Sequence, residues 1–379
     1  MPLFRPTICE INSAALRHNY RQLKKLAGNR EVVGVVKANA YGHGAAHVAR
    51  ILATEGVSIF GVATVEEGIE LRRSGISGRI LCFGGPLGAS VQDLLEFGLE
   101  PVIFNEETLK LLGQQLQNSE KTLSIHLKVD TGMGRLGILP ADLDKVLGWI
   151  AENSRFELVS VMTHLARADE QDPKPTDEQI SLFLKIEEKT KALGFSSIAY
   201  HFTNSAALID EKLNLTQWVR PGIAMYGAYP NERFEKQVEL KPVLNWKTQI
   251  ISLKEFPEGS PISYGATFIT RRPSKVAVIP VGYADGYSRF FSNKGVLLVR
   301  GQRVPVLGRV CMDLTMIDVT DLPVVELGDE VVLIGKQKEE CLKAEELAGI
   351  LGTIPYDIFC SISARVPRLL LNHQGDSHE

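Results

Sequence analysis

Short apolar runs, rich in β-branched residues, alternate with longer segments of helical period along the first part of the chain. Segments such as TVEEGIELRRSG and LDKVLGWIAENS carry apolar residues three and four positions apart and end near a glycine or asparagine, as amphipathic helices do. The runs between such segments are EVVGVV (31–36), SIFGVA (58–63), RILCF (79–83), PVIF (101–104), LSIHLKV (123–129), ELVSVMT (157–163), SIAYHFT (197–203) and GIAMYG (222–227). The pattern predicts eight strands separated by helices.

Eight strand–helix units within about 240 residues favour a closed parallel barrel, because barrels of this type need about 250 residues. An open, doubly wound sheet is the structural alternative. We therefore predict an α/β fold in which residues 1–238 form a (β/α)8 TIM-type barrel.

The pattern changes after residue 238. Strand-like runs broken by Gly, Pro, Asn and Asp follow one another, and only KAEELAGILG (343–352) has the period of a helix. The runs are VLNWKTQIISLKEF, KVAVIPVGYA, GVLLVRGQRVPVLG, LTMIDVT and DEVVLIG. Residues 239–379 are predicted to form a second, mainly β domain.

Composition agrees with a two-domain globular protein and excludes several classes. The chain has 379 residues, of which 44% are hydrophobic and 23% charged, and its net charge of −3 gives no basic footprint for nucleic acid or a membrane surface. The start of the chain lacks the apolar segment of a secretory signal, and no run is long enough to span a bilayer. Five scattered cysteines without CxxC spacing indicate reduced thiols and a cytoplasmic protein.

Lys37 is the first candidate for chemistry. In GVVKANAYGHG (34–44) it follows a predicted strand directly, at the strand end where barrel enzymes hold their active sites. Tyr41, Gly42 and Gly44 form a tight turn that can bring a hydroxyl and backbone amides to a phosphate. A lysine beside such a cradle suits a Schiff-base cofactor such as pyridoxal phosphate, although position alone would equally fit a lysine that points to solvent.

Three further motifs suggest a dinucleotide site, an aspartic protease or a metal site, but each lacks a feature that its site needs. GMGRLG (132–137) matches a dinucleotide fingerprint, but Pro140 follows where the helix should begin. DTG (130–132) lacks the second copy that an aspartic protease needs. His43 and His47 have the spacing of a helical metal pair, but no third ligand accompanies them, so we expect no metal site.

VVKANAYGHG resembles the lysine signature of alanine racemases, and eight further stretches resemble the same family in the same order. They are HLKVDTGMGRLG (126–137), THLARADE (163–170), TNSAA (203–207), VRPGIAMYG (219–227), SYGATF (263–268), VGYADGY (281–287), VCMD (310–313) and IPYDI (354–358). The resemblance implies a pyridoxal-phosphate enzyme that interconverts L- and D-alanine. We expect it to supply D-alanine for peptidoglycan, and the sequence leaves open the alternative that it degrades D-alanine. The resemblance also implies a homodimer in which the second domain of each chain covers the barrel of the other.

The resemblance carries residue roles to this sequence. It implies that Lys37 binds the cofactor as a Schiff base and acts with Tyr264 as the two catalytic bases. The phosphate set that it implies is Tyr41, Ser205, Gly222, Ile223 and Tyr356, with His164 against the cofactor ring and Arg220 at its nitrogen. Arg135 and Met312 are the implied substrate contacts, and Lys128 matches a lysine that is carbamylated in some members. Ser205 ends the predicted seventh strand, and Gly222 and Ile223 open the predicted eighth. Barrels commonly bind phosphate at the loops after these two strands, so the positions also fit a phosphate site independently of the family.

The residue type at position 220 distinguishes racemisation from the other reactions of pyridoxal enzymes. Arginine keeps its proton, so it would donate a hydrogen bond and leave the ring nitrogen unprotonated, which makes the ring a weaker electron sink and favours racemisation. A decarboxylase of similar build would be expected to use an acid there. A non-catalytic cofactor carrier would need only the barrel.

The amino acid that is racemised stays open, because racemases of serine or basic residues share most of the motifs. A small side chain is favoured, since the site is expected to be crowded by Tyr264, Tyr283, Tyr356 and Met312.

Overall fold

Eight parallel strands form a barrel in the first part of the molecule. The computed structural model describes residues 4–117, 119–210 and 216–371. After a first strand, β1 (Ile8–Asn12), the barrel strands are β2 (Glu31–Val35), β3 (Ile59–Val62), β4 (Arg79–Cys82), β5 (Leu99–Ile103), β6 (Leu123–Lys128), β7 (Phe156–Met162), β8 (Ala199–His201) and β9 (Trp218–Val219). They pair in the order β8-β7-β6-β5-β4-β3-β2-β9, and a parallel bridge between Thr203 and Val219 brings the two ends together. The predicted barrel is confirmed.

Helices follow the strands and cover the barrel. They are α1 (Ser13–Ala27), α3 (Ala45–Thr54), α4 (Val65–Arg73), α5 (Val91–Glu96), α6 (Glu106–Leu116), α7 (Leu143–Glu152), α8 (Lys174–Ala192) and α9 (Ser205–Ile209), and the short segment α2 (Lys37–Tyr41) is a turn of left-handed backbone. The side chains of Thr64, Asn105 and Asn204 accept hydrogen bonds from the first turns of α4, α6 and α9. Each long helix buries an apolar stripe, as the three- and four-residue spacing predicts.

The prediction of a strand at residues 222–227 is wrong. The eighth strand is β9, which pairs with Glu31 and Val32 of β2, and residues 223–226 form a 3₁₀ turn after it. This apolar run is buried along its whole length, and such a short buried run does not distinguish a strand from a helical turn.

The second part of the molecule is mainly β, as predicted. Its strands are β10 (Leu244–Gln249), β11 (Ser252–Phe256), β12 (Pro261–Ile262), β13 (Phe268–Ile269), β14 (Ser274–Ile279), β15 (Val296–Val299), β16 (Gln302–Leu307), β17 (Thr315–Asp318), β18 (Glu330–Gln337), β19 (Glu340–Leu342) and β20 (Arg368–Leu371). Two helices accompany them, α10 (Ala344–Leu351) and α11 (Pro355–Ser361). The sequence pattern did not indicate α11, because it is short and begins with a proline at its first helical position.

The large sheet of this second part includes the first strand of the chain. Its order is β11-β14-β17-β16-β15-β18-β10-β1-β20, with β19 paired to β18. β1 is antiparallel to β10 and parallel to β20. A division at residue 238 therefore leaves one strand of the second sheet on the barrel side of the boundary.

One apolar core runs through both parts, and α11 packs against α2 directly after the first barrel strand. None of the five cysteines is in a disulfide. Within the described ranges, no helix is both long and apolar enough to cross a membrane.

Candidate active site

A cavity lies at the carboxyl ends of the barrel strands, the face where barrel enzymes place their chemistry. Five residues singled out from the sequence line it: Lys37, Lys128, Arg135, His164 and Arg220. The remaining lining residues are Val35, Phe83 and Met162.

The cavity is strongly cationic. Four of its lining side chains are lysine or arginine, and no carboxylate from the described residues lines it. Lys128 is only 6% exposed, and neither it nor Lys37 forms a hydrogen bond or ion pair within the part of the chain that the structure describes. Burial, followed by the charge of Arg135, lowers the pKa of Lys37 and lowers that of Lys128 to about 8. Such a cavity favours anionic ligands.

Lys37 leads into a turn of left-handed backbone. Ala38, Asn39, Ala40 and Tyr41 all have φ between 52° and 54°, which costs about 1–2 kcal/mol for each non-glycine residue. The turn is held at both ends, because Glu67 accepts a hydrogen bond from the Ala38 amide at 2.7 Å and Arg368 donates one to the Gly42 carbonyl at 2.8 Å. Strain that neighbouring contacts maintain is typical of functional sites.

The turn brings Tyr41 to the loop that follows the eighth strand. A Cβ atom at Gly222 would lie 2.4 Å from the Tyr41 hydroxyl oxygen, so any other residue there would displace the Tyr41 side chain. Ser205, the first residue of α9, accepts hydrogen bonds at Oγ from the amides of Gly222 (2.8 Å) and Ala224 (3.4 Å), which leaves its hydroxyl proton to donate. The ring centroid of Tyr356 lies 5.8 Å from that of Tyr41. Ile223 follows Gly222 in the same loop, so the predicted phosphate set meets in one place.

Arg220 is buried and lines the cavity. Its Nη1 donates to Nδ1 of His201 at 2.5 Å and its Nη2 donates to the Thr163 carbonyl at 2.7 Å. Burial lowers the pKa of Arg220 to about 9, so the guanidinium remains charged at neutral pH. Burial and the Arg220 charge hold the pKa of His201 well below its usual value and lower that of His164 to about 3. Both imidazoles are neutral.

Arg135 is positioned by the loop that the glycines form. Asp130 accepts hydrogen bonds from four consecutive backbone amides, those of residues 132–135, at 2.8–3.2 Å. Burial opposes ionisation of Asp130, but these donors outweigh it and lower its pKa. A Cβ at Gly137 would lie 2.4 Å from the Asp130 amide nitrogen. The glycines therefore close a loop that carries Arg135, and the next α-helix, α7, does not begin until Leu143.

Some predicted residues are not brought to this cavity. Tyr264, Met312 and Tyr283 lie in the second part of the molecule, where their side chains are 70%, 53% and 42% exposed. None of the three is among the described residues that line the barrel cavity. Tyr264 instead borders a surface groove that also includes Cys311 and Leu314.

The two histidines considered as a metal pair lie apart. His43 is buried and its Nδ1 bonds to the carbonyls of Ala40 and Tyr41, whereas His47 is exposed on α3. Sequence reasoning did not single out three residues that shape the site: Glu67, Phe83 and His201. The signal for His201 was available, as a polar residue inside the apolar run SIAYHFT.

Known proteins share this architecture over its full extent. The models for the alanine racemase N-terminal and C-terminal domains match residues 11–230 and 243–370. Alanine racemase 2 of Caldanaerobacter subterraneus subsp. tengcongensis is 43% identical over 369 residues, which cover 97% of this chain and 95% of the relative.

Solved structures agree with this assignment. The alanine racemase from D-cycloserine-producing Streptomyces lavendulae aligns with a TM-score of 0.93 and 32% identity over 98% of both chains. The alanine racemase from Bacillus anthracis with bound L-Ala-P aligns with a TM-score of 0.91 and 35% identity over 98% of this chain and 96% of that one. Both domains, in the same order and over nearly the whole length, show that this chain belongs to the alanine racemase family.

Proposed function

We propose that this protein racemises alanine with pyridoxal phosphate bound at Lys37. The observation that carries the proposal is the cationic cavity, where Lys37, Lys128, Arg135 and Arg220 meet without a lining carboxylate from the described residues. The phosphate of the cofactor and the carboxylate of an amino acid supply the missing negative charge. Family membership and the relatives named alanine racemase agree with this assignment.

The residues present fit the cofactor. The crowded cradle of Tyr41, Ser205 and Gly222, with Ile223 and Tyr356 beside it, would hold the phosphate. Lys37 would hold the aldehyde carbon, and its lowered pKa favours the neutral amine that this bond requires. His164, neutral and without a hydrogen-bond partner for its ring in the described structure, would pack against the cofactor ring. When bound, the cofactor withdraws electrons from Cα and so makes the Cα proton acidic.

Arg220 would control which reaction follows. Its four Nη protons face His201, Thr163 and the nearby Phe202 carbonyl, and Nε has no acceptor within the described chain. A fixed cation there would donate a hydrogen bond to the ring nitrogen without protonating it, which would limit electron withdrawal. Return of the proton to Cα is then favoured over side reactions.

Two bases on opposite faces of Cα are needed for racemisation. Lys37 would serve one face and Tyr264 the other. Because Tyr264 and Met312 are exposed and lie away from the cavity of their own chain, we propose that each reaches the cavity of a partner chain in a two-fold homodimer, to which residues 239–379 contribute this face. Arg135 would bind the substrate carboxylate through its planar fork, with a carbamate on Lys128 as its counter-charge.

Alanine is the proposed substrate. A solved relative, from Bacillus anthracis, has L-Ala-P bound, and the aromatic side chains of Tyr264, Tyr283 and Tyr356, with Met312, would leave little space beside Cα. An extra methylene that a pocket cannot accommodate costs about 1–3 kcal/mol. A cytoplasmic role in supplying D-alanine for peptidoglycan is part of the same proposal.

The test combines turnover with chemical trapping. Purified protein loaded with pyridoxal phosphate should convert L-alanine to a racemic mixture, measured by chiral chromatography across a panel that includes serine, leucine and lysine. Borohydride reduction and peptide mapping should find the pyridoxyl group on Lys37 and not on Lys128. Comparable kcat/KM for lysine would indicate a broad-specificity racemase, and a pyridoxyl group elsewhere would reject Lys37.

A further inference from the structure

Arg220 is a buried cation that has no carboxylate partner among the residues described in the structure. Its acceptors within the described chain are a histidine ring nitrogen and main-chain carbonyl oxygens. Burying a charge is costly unless compensating groups surround it. Here the charge of Arg220 is compensated through the hydrogen bonds that begin at His201.

A continuous chain of side-chain hydrogen bonds leads away from Arg220, with one residue from each of four adjacent strands. His201 Nε2 lies 2.8 Å from Ser160 Oγ, Ser160 Oγ lies 2.7 Å from His126 Nδ1, and His126 Nε2 lies 2.9 Å from Glu100 Oε2. The residues belong to β8, β7, β6 and β5 in turn. His201, Ser160 and His126 are completely buried.

This chain of hydrogen bonds crosses the inside of the barrel. The rings of His126 and His201 lie 6.0 and 5.1 Å from that of Trp218, which packs with a small apolar cluster separate from the main core. At its far end, Arg79 donates to both oxygens of Glu100 at 2.9 and 3.0 Å. Arg79 begins β4, whereas Arg220 follows the end of β9, so the chain connects the two faces of the barrel.

Proton positions along the chain are determined from the Arg220 end. Arginine can only donate, so Nδ1 of His201 accepts, and neutral His201 must carry its proton on Nε2 and donate to Ser160. The Ser160 hydroxyl then donates to Nδ1 of His126, because no other acceptor faces it within the described residues. His126, neutral because burial lowers its pKa, donates from Nε2 to the Glu100 carboxylate. Every hydrogen bond runs in the same direction.

We propose that Glu100, His126 and Ser160 are positioning residues for Arg220, which transmit the negative charge of Glu100 through His201 to the guanidinium. Aligned hydrogen bonds polarise one another, so the carboxylate makes His201 Nδ1 a stronger acceptor for Arg220. Arg220 is thereby held with a donor towards the cavity. The part of the proposal that concerns the ring nitrogen of pyridoxal phosphate rests on the proposed function, whereas the proton positions do not.

Ser160→Ala interrupts the chain of hydrogen bonds at its centre, whereas Ser160→Thr retains the hydroxyl. Because Ser160→Ala uncouples His201 from the Glu100 carboxylate and so weakens the hydrogen bond between His201 and the charged Arg220, we expect kcat to fall roughly 10-fold or more, with KM for alanine little changed. The share of turnovers that end in transamination should rise, and Ser160→Thr should recover both values. Thr190→Val is the control, because Thr190 is another fully buried hydroxyl, bonded to the Ile186 carbonyl on α8.

Nitrogen-15 NMR provides readouts independent of turnover. Histidine-labelled protein, with and without cofactor, should show His126 and His201 neutral and protonated at Nε2. In protein loaded with ring-labelled pyridoxal phosphate, the pyridine nitrogen resonance should shift in Ser160→Ala and remain in Ser160→Thr and Thr190→Val.

The outcomes separate the two proposals. A wild-type protein that binds no pyridoxal phosphate or leaves alanine unchanged rejects the proposed function, and the histidine spectra of the cofactor-free chain still decide the proton positions. Protonation of either histidine at Nδ1 would reject the proposed direction of the hydrogen bonds between Arg220 and Glu100. Unchanged kcat, transamination and pyridine resonance in Ser160→Ala reject the positioning role. If Ser160→Ala does not fold, Glu100→Gln, which removes only the charge at the barrel end, must give the same directions of change.

Discussion

The hydroxyl oxygen of Tyr41 lies against the backbone of Gly222, where an added Cβ atom would stand 2.4 Å from it. Tyr41 comes from the loop after the first barrel strand and Gly222 from the loop after the eighth. Because the left-handed turn that carries Tyr41 is held by Glu67 and Arg368, the tyrosine has little freedom to withdraw. Each loop therefore fixes the position of the other.

Gly222→Ala should weaken cofactor binding. The methyl group would displace Tyr41 from the proposed phosphate cradle, so we expect the dissociation constant for pyridoxal phosphate to rise at least about 10-fold, a loss of roughly 1.4 kcal/mol. The measurement is a titration of cofactor-free protein by absorbance. Gly148→Ala is the matched control, because a Cβ there meets no atom within 4 Å. Equal affinities for the two variants would contradict the cradle.

Replacing Arg220 should change the reaction more than the binding. In Arg220→Glu the carboxylate would favour a protonated ring nitrogen, so racemisation should fall by roughly 100-fold and transamination per turnover should increase. Arg220→Lys keeps a cation and should show a smaller increase in transamination. Both are measured by separating alanine enantiomers and pyruvate from one reaction. Unchanged product ratios in Arg220→Glu would show that this residue does not control the chemistry.

Lys128 should react with carbon dioxide. A carbamate forms when the neutral amine adds CO2 and releases one proton, and the pKa of about 8 leaves part of Lys128 neutral near physiological pH. At fixed CO2 pressure the carbamate should increase as pH rises through 8. Carbon-13 NMR with labelled CO2 should show one carbamate signal, which Lys128→Ala removes and Lys121→Ala, at an exposed site, retains. Lys128→Ala should also raise KM for alanine, because Arg135 loses its counter-charge. A wild-type spectrum without this signal would reject the modification.

Two inactive variants should complement each other if the active site is shared. Lys37→Ala and Tyr264→Ala are each expected to be inactive alone. In a mixed dimer one site receives both changes and the other receives neither, so random exchange should restore about a quarter of wild-type activity. Activity is measured after co-refolding, with subunit exchange verified by differently tagged chains. An exchanged mixture that remains inactive would place Lys37 and Tyr264 in the same chain's site.

Acid should destabilise the fold through its buried histidines. Burial lowers the pKa of His43 from 6.5 to about 4, so between these values the unfolded chain binds a proton that the folded chain does not. The contribution of His43 is complete above pH 6.5 and decreases as pH falls towards 4, by about 1.4 kcal/mol per pH unit. Urea unfolding from pH 4 to 8 should show a shallower pH dependence for His43→Asn than for wild type. His47→Asn, at an exposed residue, should retain the wild-type slope.

The repeating part of the fold could be predicted from sequence, and its irregular parts could not. Seven of the eight barrel strands lie within or beside the apolar runs, because each strand needs a continuous apolar segment between helices. β9 is only two residues long, and the longer apolar run after it, at 222–227, is a buried turn. β1 is separated from its sheet by the whole barrel, and local periodicity contains no information about such a partner.

The site shows the same division. Lys37, which follows a strand end, could be placed at the barrel mouth by topology alone. Arg220 could not, because the strand predicted at 222–227 put it before the eighth strand, whereas it follows β9. Glu67 could not, because it acts through a hydrogen bond to the backbone of Ala38 that no spacing indicates. The hydrogen-bonded chain from Glu100 to His201 depends on side chains from four strands meeting inside the barrel, which requires register as well as strand order.

The position of β1 between β10 and β20 affects the order in which the molecule can form during synthesis. β1 is synthesised before the other described strands, yet its neighbours are made only after the whole barrel, and β20 is the last of the described strands. The barrel can therefore fold before β1 is paired, and the large sheet forms last. A fragment that begins at residue 239 would lack β1 and leave the edges of β10 and β20 unpaired, and such edges recruit strands from other molecules. Separate production of the two halves should consequently give an aggregating second half, unless residues 8–12 are supplied with it.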